Sequence, residues 1–121
     1  MPKILVVDDE ENIRKLVKAN LAADGYKVLV ASSGDEALRL AQKEHIDLVL
    51  LDLMMPGMSG WDVLMAIRTS PKLRKIPVVI MTAAVPEGEE YQVRGMRTDG
   101  YLGKPFTIPE LLHKVKKVLG G

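Results

Sequence analysis

Groups able to do polar chemistry stand at the ends of apolar runs in this chain of 121 residues. ILVV at 4–7 is closed by Asp8 and Asp9, LVLL at 48–51 by Asp52, PVVIM at 77–81 by Thr82, and the short YLG at 101–103 by Lys104. If these ends converge, three carboxylates share one site, and like charges so close raise each other's pKa unless a cation is present. Lys104 supplies one positive charge, and a hard divalent ion would supply the rest. Mg²⁺ prefers a few carboxylates with water and phosphate oxygens. No soft ligand accompanies the acids, which disfavours zinc and copper. A carboxylate can also attack phosphorus and form an aspartyl phosphate, a reaction that rests on positioning and charge neutralisation. Mg²⁺ and Lys104 would hold two phosphoryl oxygens, and the Thr82 hydroxyl with the Ala83 backbone N–H would meet the third. The small Ala83 and Ala84 leave room for the group. The plainer alternative for Asp52 is that it caps the turn containing Pro56, Gly57, Ser59 and Gly60, as Asp often does.

The elements that must position these groups follow from periodicity. Apolar runs bounded by turn residues predict strands buried on both faces at 4–7, 48–51 and 76–82. Residues 26–31 and 101–103 predict two more. Ile13, Leu16, Val17 and Leu21 recur at helical spacing, and Asp24-Gly25 stops that helix. Ser33 with Glu36, and Thr107 with Glu110, have capping-box spacing and open two further helices. Gly60 and Trp61 start a third helix carrying Leu64 and Ile67, which Ser70-Pro71 ends. A helix is also expected within 86–100, on the strength of Tyr91, Val93 and Met96. Five strands alternating with five helices argue for an α/β fold with a parallel sheet, helices on both faces and right-handed crossovers. In such a sheet the strands' carboxyl ends lie along one edge.

Composition narrows the class. Apolar residues make up 47% and charged residues 27%, with a formal net charge of +1, so charge gives no case for direct nucleic-acid or membrane binding. The absence of cysteine excludes disulfides and thiolate metal sites. The start Met1-Pro2-Lys3-Ile4 has no signal-peptide pattern, and no apolar run reaches the ~20 residues that span a bilayer. A single cytoplasmic domain over residues 1–121 is the expectation.

ILVVDDE at 4–10, LVLLDLMMPGMSGWDVL at 48–64, IPVVIMTA at 76–83 and YLGKPF at 101–106 together resemble the receiver domain of two-component response regulators, chemotaxis regulators among them. The resemblance implies a flavodoxin-like, doubly wound (βα)5 three-layer sandwich with sheet order 2-1-3-4-5. It implies that Asp52 accepts a phosphoryl group, in a Mg²⁺-dependent reaction, from a sensor histidine kinase or a histidine phosphotransfer protein. Asp8, Asp9, Asp52 and the backbone carbonyl of Met54 would hold the metal. Lys104 would pair with the phosphate beside a cis Lys104-Pro105 bond. Thr82 and Tyr101 would form a switch pair that alters the face made by the fourth helix, fifth strand and fifth helix, where a downstream partner binds a monomer or a phosphorylation-dependent dimer. Such a protein is a signalling domain, not an enzyme beyond its own phosphorylation and dephosphorylation.

Two features depart from the family pattern. Met96, Arg97 and Thr98 occupy a run that is usually small-Gly-small, and Gly100 replaces a common acid beside Tyr101. The positions that tune hydrolysis in the family are Met54 and Ala84, neither of which can orient water. Rival functions fit less well. Hydrolases of the haloacid dehalogenase type need a second acid where Met54 stands. A flavin or nucleotide site needs a phosphate-friendly loop, but the loop after the first strand is Asp8-Asp9-Glu10-Glu11. A purely scaffolding receiver would not need the complete acidic set with Thr82 and Lys104.

Overall fold

The computed structural model describes residues 1–83, 92–93 and 95–120. Its elements are β1 (Lys3–Val7), α1 (Glu11–Ala23), β2 (Lys27–Ala31), α2 (Gly34–Lys43), β3 (Leu48–Asp52), α3 (Gly60–Thr69), β4 (Val78–Thr82), β5 (Gln92–Val93), β6 (Met96–Arg97), β7 (Gly100–Gly103) and α4 (Ile108–Val118). The five longer strands form one parallel sheet in the order β2-β1-β3-β4-β7. This is the predicted 2-1-3-4-5 order, with β7 as the fifth strand.

Strand alternation divides the core in two. Leu5, Val7, Val49, Leu51, Val78 and Ile80 face α2 and α3, meeting Ala37, Ala41, Val63, Leu64 and Ile67. Ile4, Val6, Leu48, Leu50, Val79 and Met81 face α1 and α4, meeting Val17, Leu21, Leu111 and Val115. The central strands β1, β3 and β4 are covered on both sides, which is why their sequences are continuously apolar rather than alternating. Leu16 departs from its expected place: it is 43% exposed on the outer side of α1. Among the described residues no helix is long and apolar enough to cross a membrane.

The helix starts carry their own signals. Both halves of the Thr107/Glu110 capping box are present, and Ser59 forms a second box with Asp62. At α2 only half forms. The Ser33 hydroxyl accepts the Glu36 N–H, but the Glu36 carboxylate accepts from the Ser32 N–H instead.

The helix expected within 86–100 is corrected in part. Gln92–Val93 and Met96–Arg97 pair as a small antiparallel ladder, turning at Gly95 with φ +79°. Residues 84–91 and 94 lie outside the described residues, so four helices are present among those described. The ladder's second strand is tied to α3, because Arg68 Nε donates to the Arg97 carbonyl at 2.9 Å. That side-chain anchor leaves no helical signature in the sequence.

Candidate phosphoryl-transfer and metal site

β1, β3 and β4 end almost level. Val7 is partnered with Leu51, and Asp52 with Met81. Asp8, Asp52 and Thr82 therefore emerge side by side, offset by no more than about one residue's rise of ~3.3 Å. This is the carboxyl edge of the sheet, where open α/β folds keep their ligand crevice.

The three acids meet there. Asp8, Asp9 and Asp52 each offer a carboxylate oxygen, all within 4.8 Å of one another. Asp8 is fully buried and Asp52 nearly so, while Asp9 is exposed. Asp8 is held from several sides. Its N–H donates to the Ala31 carbonyl, its Oδ1 accepts the Glu10 N–H at 2.9 Å, and Arg14 Nη1 donates to its carbonyl at 2.8 Å. Asp52 Oδ1 accepts the Met54 N–H at 3.1 Å. One Asp52 oxygen thus accepts from the turn, and the other faces Lys104.

Lys104 completes the cluster. Its Nζ lies 2.7 Å from Asp8 Oδ2, 3.4 Å from Asp52 Oδ2 and 3.8 Å from Glu10 Oε1. Its N–H donates to the Thr82 carbonyl at 2.9 Å, extending the ladder past β7, and the Lys104-Pro105 bond is cis as expected. Burial alone would pull the ammonium down. The hydrogen bond and charge of Asp8, reinforced by Asp52, outweigh it and hold Lys104 above its ordinary value. Burial is also the largest influence on Asp52. With the like charge of Asp8 it raises the Asp52 carboxyl above its usual range, against the opposing Met54 N–H and Lys104.

The donor set fits Mg²⁺. All three side chains present hard oxygen, the site is rich in negative charge, and one lysine faces three carboxylates.

Thr82 is 6% exposed at the end of β4, and Ala83 follows it at the surface. Tyr101 is half-buried in β7 and packs on the α2/α3 side of the sheet. Its register partner is Ile80, two residues before Thr82 and on the same side. The two expected switch residues therefore share one face of the sheet. Met54 is 77% exposed beside Asp52. Ala84 lies outside the described residues.

Sequence reasoning missed three contributors: Glu10, which sits near Lys104; Arg14, which braces the Asp8 carbonyl; and Gly60, which packs on the Asp52 backbone. Glu10 was legible as a third acid after β1. The other two depend on contacts made only in three dimensions.

The pattern that defines the response regulator receiver domain matches residues 4–116. The phosphate regulon transcriptional regulatory protein PhoB of Rhizobium meliloti is 41% identical over 98% of this chain, which spans 52% of that regulator's length. The polar-differentiation response regulator DivK of Brucella ovis is 35% identical over 97% of this chain and 95% of its own. Among solved structures, the Vibrio cholerae chemotaxis protein CheY4 superposes with a TM-score of 0.90 at 33% identity, covering 98% of each chain. The Thermotoga maritima response regulator TrrA, solved in complex with Mg²⁺-BeF, superposes at 0.83 with 40% identity over 98% of this chain and 99% of its own.

Proposed function

The chain belongs to the response regulator receiver domain family, and from that membership we propose that Asp52 is its phosphoacceptor. The observation that carries this is the meeting of Asp8, Asp9 and Asp52 within 4.8 Å, with Lys104 Nζ 3.4 Å from the Asp52 oxygen that faces the site. Residues 1–121 act as one receiver domain. The phosphodonor is a phosphohistidine on a sensor kinase or a phosphotransfer protein. An Asp52 carboxylate oxygen attacks phosphorus, the phosphorus–nitrogen bond of the donor breaks, and the imidazole departs with the bonding pair.

Asp52 is held for attack by the Met54 N–H on its other oxygen. Lys104 is close enough to exchange its contact with Asp52 for one with a phosphoryl oxygen. The Thr82 hydroxyl and the Ala83 N–H serve another oxygen. Asp8, Asp9, Asp52 and the Met54 carbonyl would hold Mg²⁺, whose positive charge offsets the charge on the transferred group. The nearly complete burial of Asp8 and Asp52 keeps their interactions strong.

Thr82 moving toward the phosphoryl group, with Tyr101 turning inward, would bias an existing equilibrium of the domain. The partner binds the face that includes β7 and α4, to a monomer or a phosphorylation-dependent dimer. Catalysis extends to the domain's own phosphorylation and dephosphorylation, and the site of action is the cytoplasm.

Trp61 is the chain's one tryptophan and stands at the start of α3, packed against the core. Beryllofluoride with Mg²⁺, a phosphoryl mimic, is expected to change its fluorescence in the wild type and to have no effect on Asp52→Asn. A saturable change of equal size in both proteins would place the acceptor elsewhere.

A further inference from the structure

The acceptor's own peptide group packs against a position with no side chain. Gly60 opens α3, is buried, and donates its N–H to the Leu53 carbonyl at 3.1 Å. A Cβ at this position would lie 2.3 Å from the Asp52 carbonyl oxygen, 2.5 Å from Leu53 Cα and 2.9 Å from the Asp52 carbonyl carbon. All three are backbone atoms at or just past the end of β3, where Asp52 is still paired with Met81 of β4. They cannot swing away as the tip of a side chain can.

Nor is α3 free to retreat, because Val63, Leu64 and Ile67 are buried in the core against the sheet. The Ser59/Asp62 capping box fixes its first turn, with the Asp62 N–H donating to Ser59 Oγ at 3.4 Å and the Ser59 N–H to Asp62 Oδ2 at 3.2 Å. On the far side of the loop, Met58 lies against Gly34 of α2, where a Cβ would come 2.7 Å from its sulfur. The segment after Asp52 is therefore wedged between two helix starts.

We propose that Gly60 is a positioning residue for phosphoryl transfer. By seating the first turn of α3 directly on the Asp52–Leu53 peptide, it sets the direction in which the Asp52 carboxylate meets Lys104 and the metal ligands. This rests on Asp52 being the acceptor. Gly34 supplies an internal control. A methyl there meets the Met58 side-chain end and a Val63 methyl rather than backbone, so it stresses packing in the same region without touching the acceptor's peptide.

The test is the rate of phosphorylation by acetyl phosphate at saturating Mg²⁺, read by intact mass, for the wild type, Gly60→Ala and Gly34→Ala. Circular dichroism establishes the folded fraction, and Trp61 fluorescence gives the Mg²⁺ half-saturation. A misplacement of about 1 Å can cost on the order of a hundredfold in rate. Gly60→Ala is therefore expected to be slower by about tenfold or more per folded molecule, with altered Mg²⁺ half-saturation, while Gly34→Ala stays within about twofold of the wild type. If Gly60→Ala does not fold, Ser59→Ala loosens the same helix start without adding an atom, and a slowing of about threefold is expected. The inference is overturned if the folded Gly60→Ala protein, or Ser59→Ala in its place, matches the wild-type rate, or if Gly34→Ala is slowed as much as Gly60→Ala. A wild type that takes no phosphoryl group removes the acceptor assignment and this inference with it. A modified wild type with an unaffected Gly60→Ala removes this inference alone.

Discussion

Lys104 is bound more closely to Asp8 than to Asp52, at 2.7 Å against 3.4 Å. The lysine's main partner is thus Asp8 rather than Asp52, the proposed phosphoacceptor. Asp52, only 4% exposed, receives the smaller share of the positive charge. A cation at the three acids would relieve this imbalance and would offset the charge of a phosphoryl group on Asp52.

The first consequence concerns pH. Burial, aided by Asp8, raises the folded-state pKa of Asp52 above its ordinary 3.8. A raised carboxyl pKa means the native state binds the proton more tightly than the unfolded chain does. The associated stability is fully present below about pH 3.8 and is lost as pH rises through the raised value. Without Mg²⁺, Asp52→Asn is expected to be more stable than the wild type at pH 7, on the order of 1 kcal/mol. The gap should shrink as the pH falls toward the unfolded value. Urea unfolding of both proteins across this range would show it; a gap independent of pH would mean that the charge of Asp52 is not its cause.

With Asp52 as the proposed phosphoacceptor, Met54 is expected to bear on the lifetime of the phosphorylated state. Its side chain is exposed beside the acceptor and has no group that orients water. Met54→Asn supplies one, and the decay of phosphorylated protein should quicken by about tenfold, well short of what a fully positioned general base contributes. The time course of intact mass after removal of the phosphodonor measures this, and an unchanged decay would count against the assignment.

The legibility of the chain follows from where its signals lie. The sheet and its acidic edge could be read because β1, β3 and β4 are apolar on both faces and each ends at a polar residue. Position in sequence then becomes position in space. The β5–β6 ladder could not be read, since strands of two residues show no period, and Val93 and Met96 stand three apart, as helix residues do. The inner and outer sides of α1 were only partly separable, because Leu16 and Val17 are both apolar and just Val17 is buried. Contacts between distant residues, such as Gly60 with Asp52, leave no local pattern at all.

Arg68 is another such contact. Its side chain is 9% exposed and donates to the Arg97, Arg74 and Ile76 carbonyls and to Asp99 Oδ2. Asp99 in turn accepts the Val78 N–H at 2.8 Å. The guanidinium thus ties the end of α3 to β6 and to the approach to β7. A single ammonium cannot reproduce that fork. Both Arg68→Ala and Arg68→Lys are expected to lose about 2–4 kcal/mol of stability in urea unfolding; a Lys variant as stable as the wild type would show that charge alone suffices.

Thr98 makes the opposite case. It is 2% exposed, and its hydroxyl has no hydrogen-bond partner among the described residues. An unsatisfied buried hydroxyl opposes folding, so the nearly isosteric Thr98→Val should stabilise the domain by about 1 kcal/mol. Thermal unfolding of the two proteins decides it, and a loss of stability would reveal a partner for the hydroxyl.

The most direct test of the phosphoacceptor is incubation with acetyl phosphate, with and without Mg²⁺, followed by intact mass. The wild type should gain one phosphoryl group in the presence of Mg²⁺ and none without it, and Asp52→Asn should gain none in either condition. A folded wild type that stays unmodified with Mg²⁺ bound, or an Asp52→Asn protein modified as readily as the wild type, would contradict the assignment of Asp52.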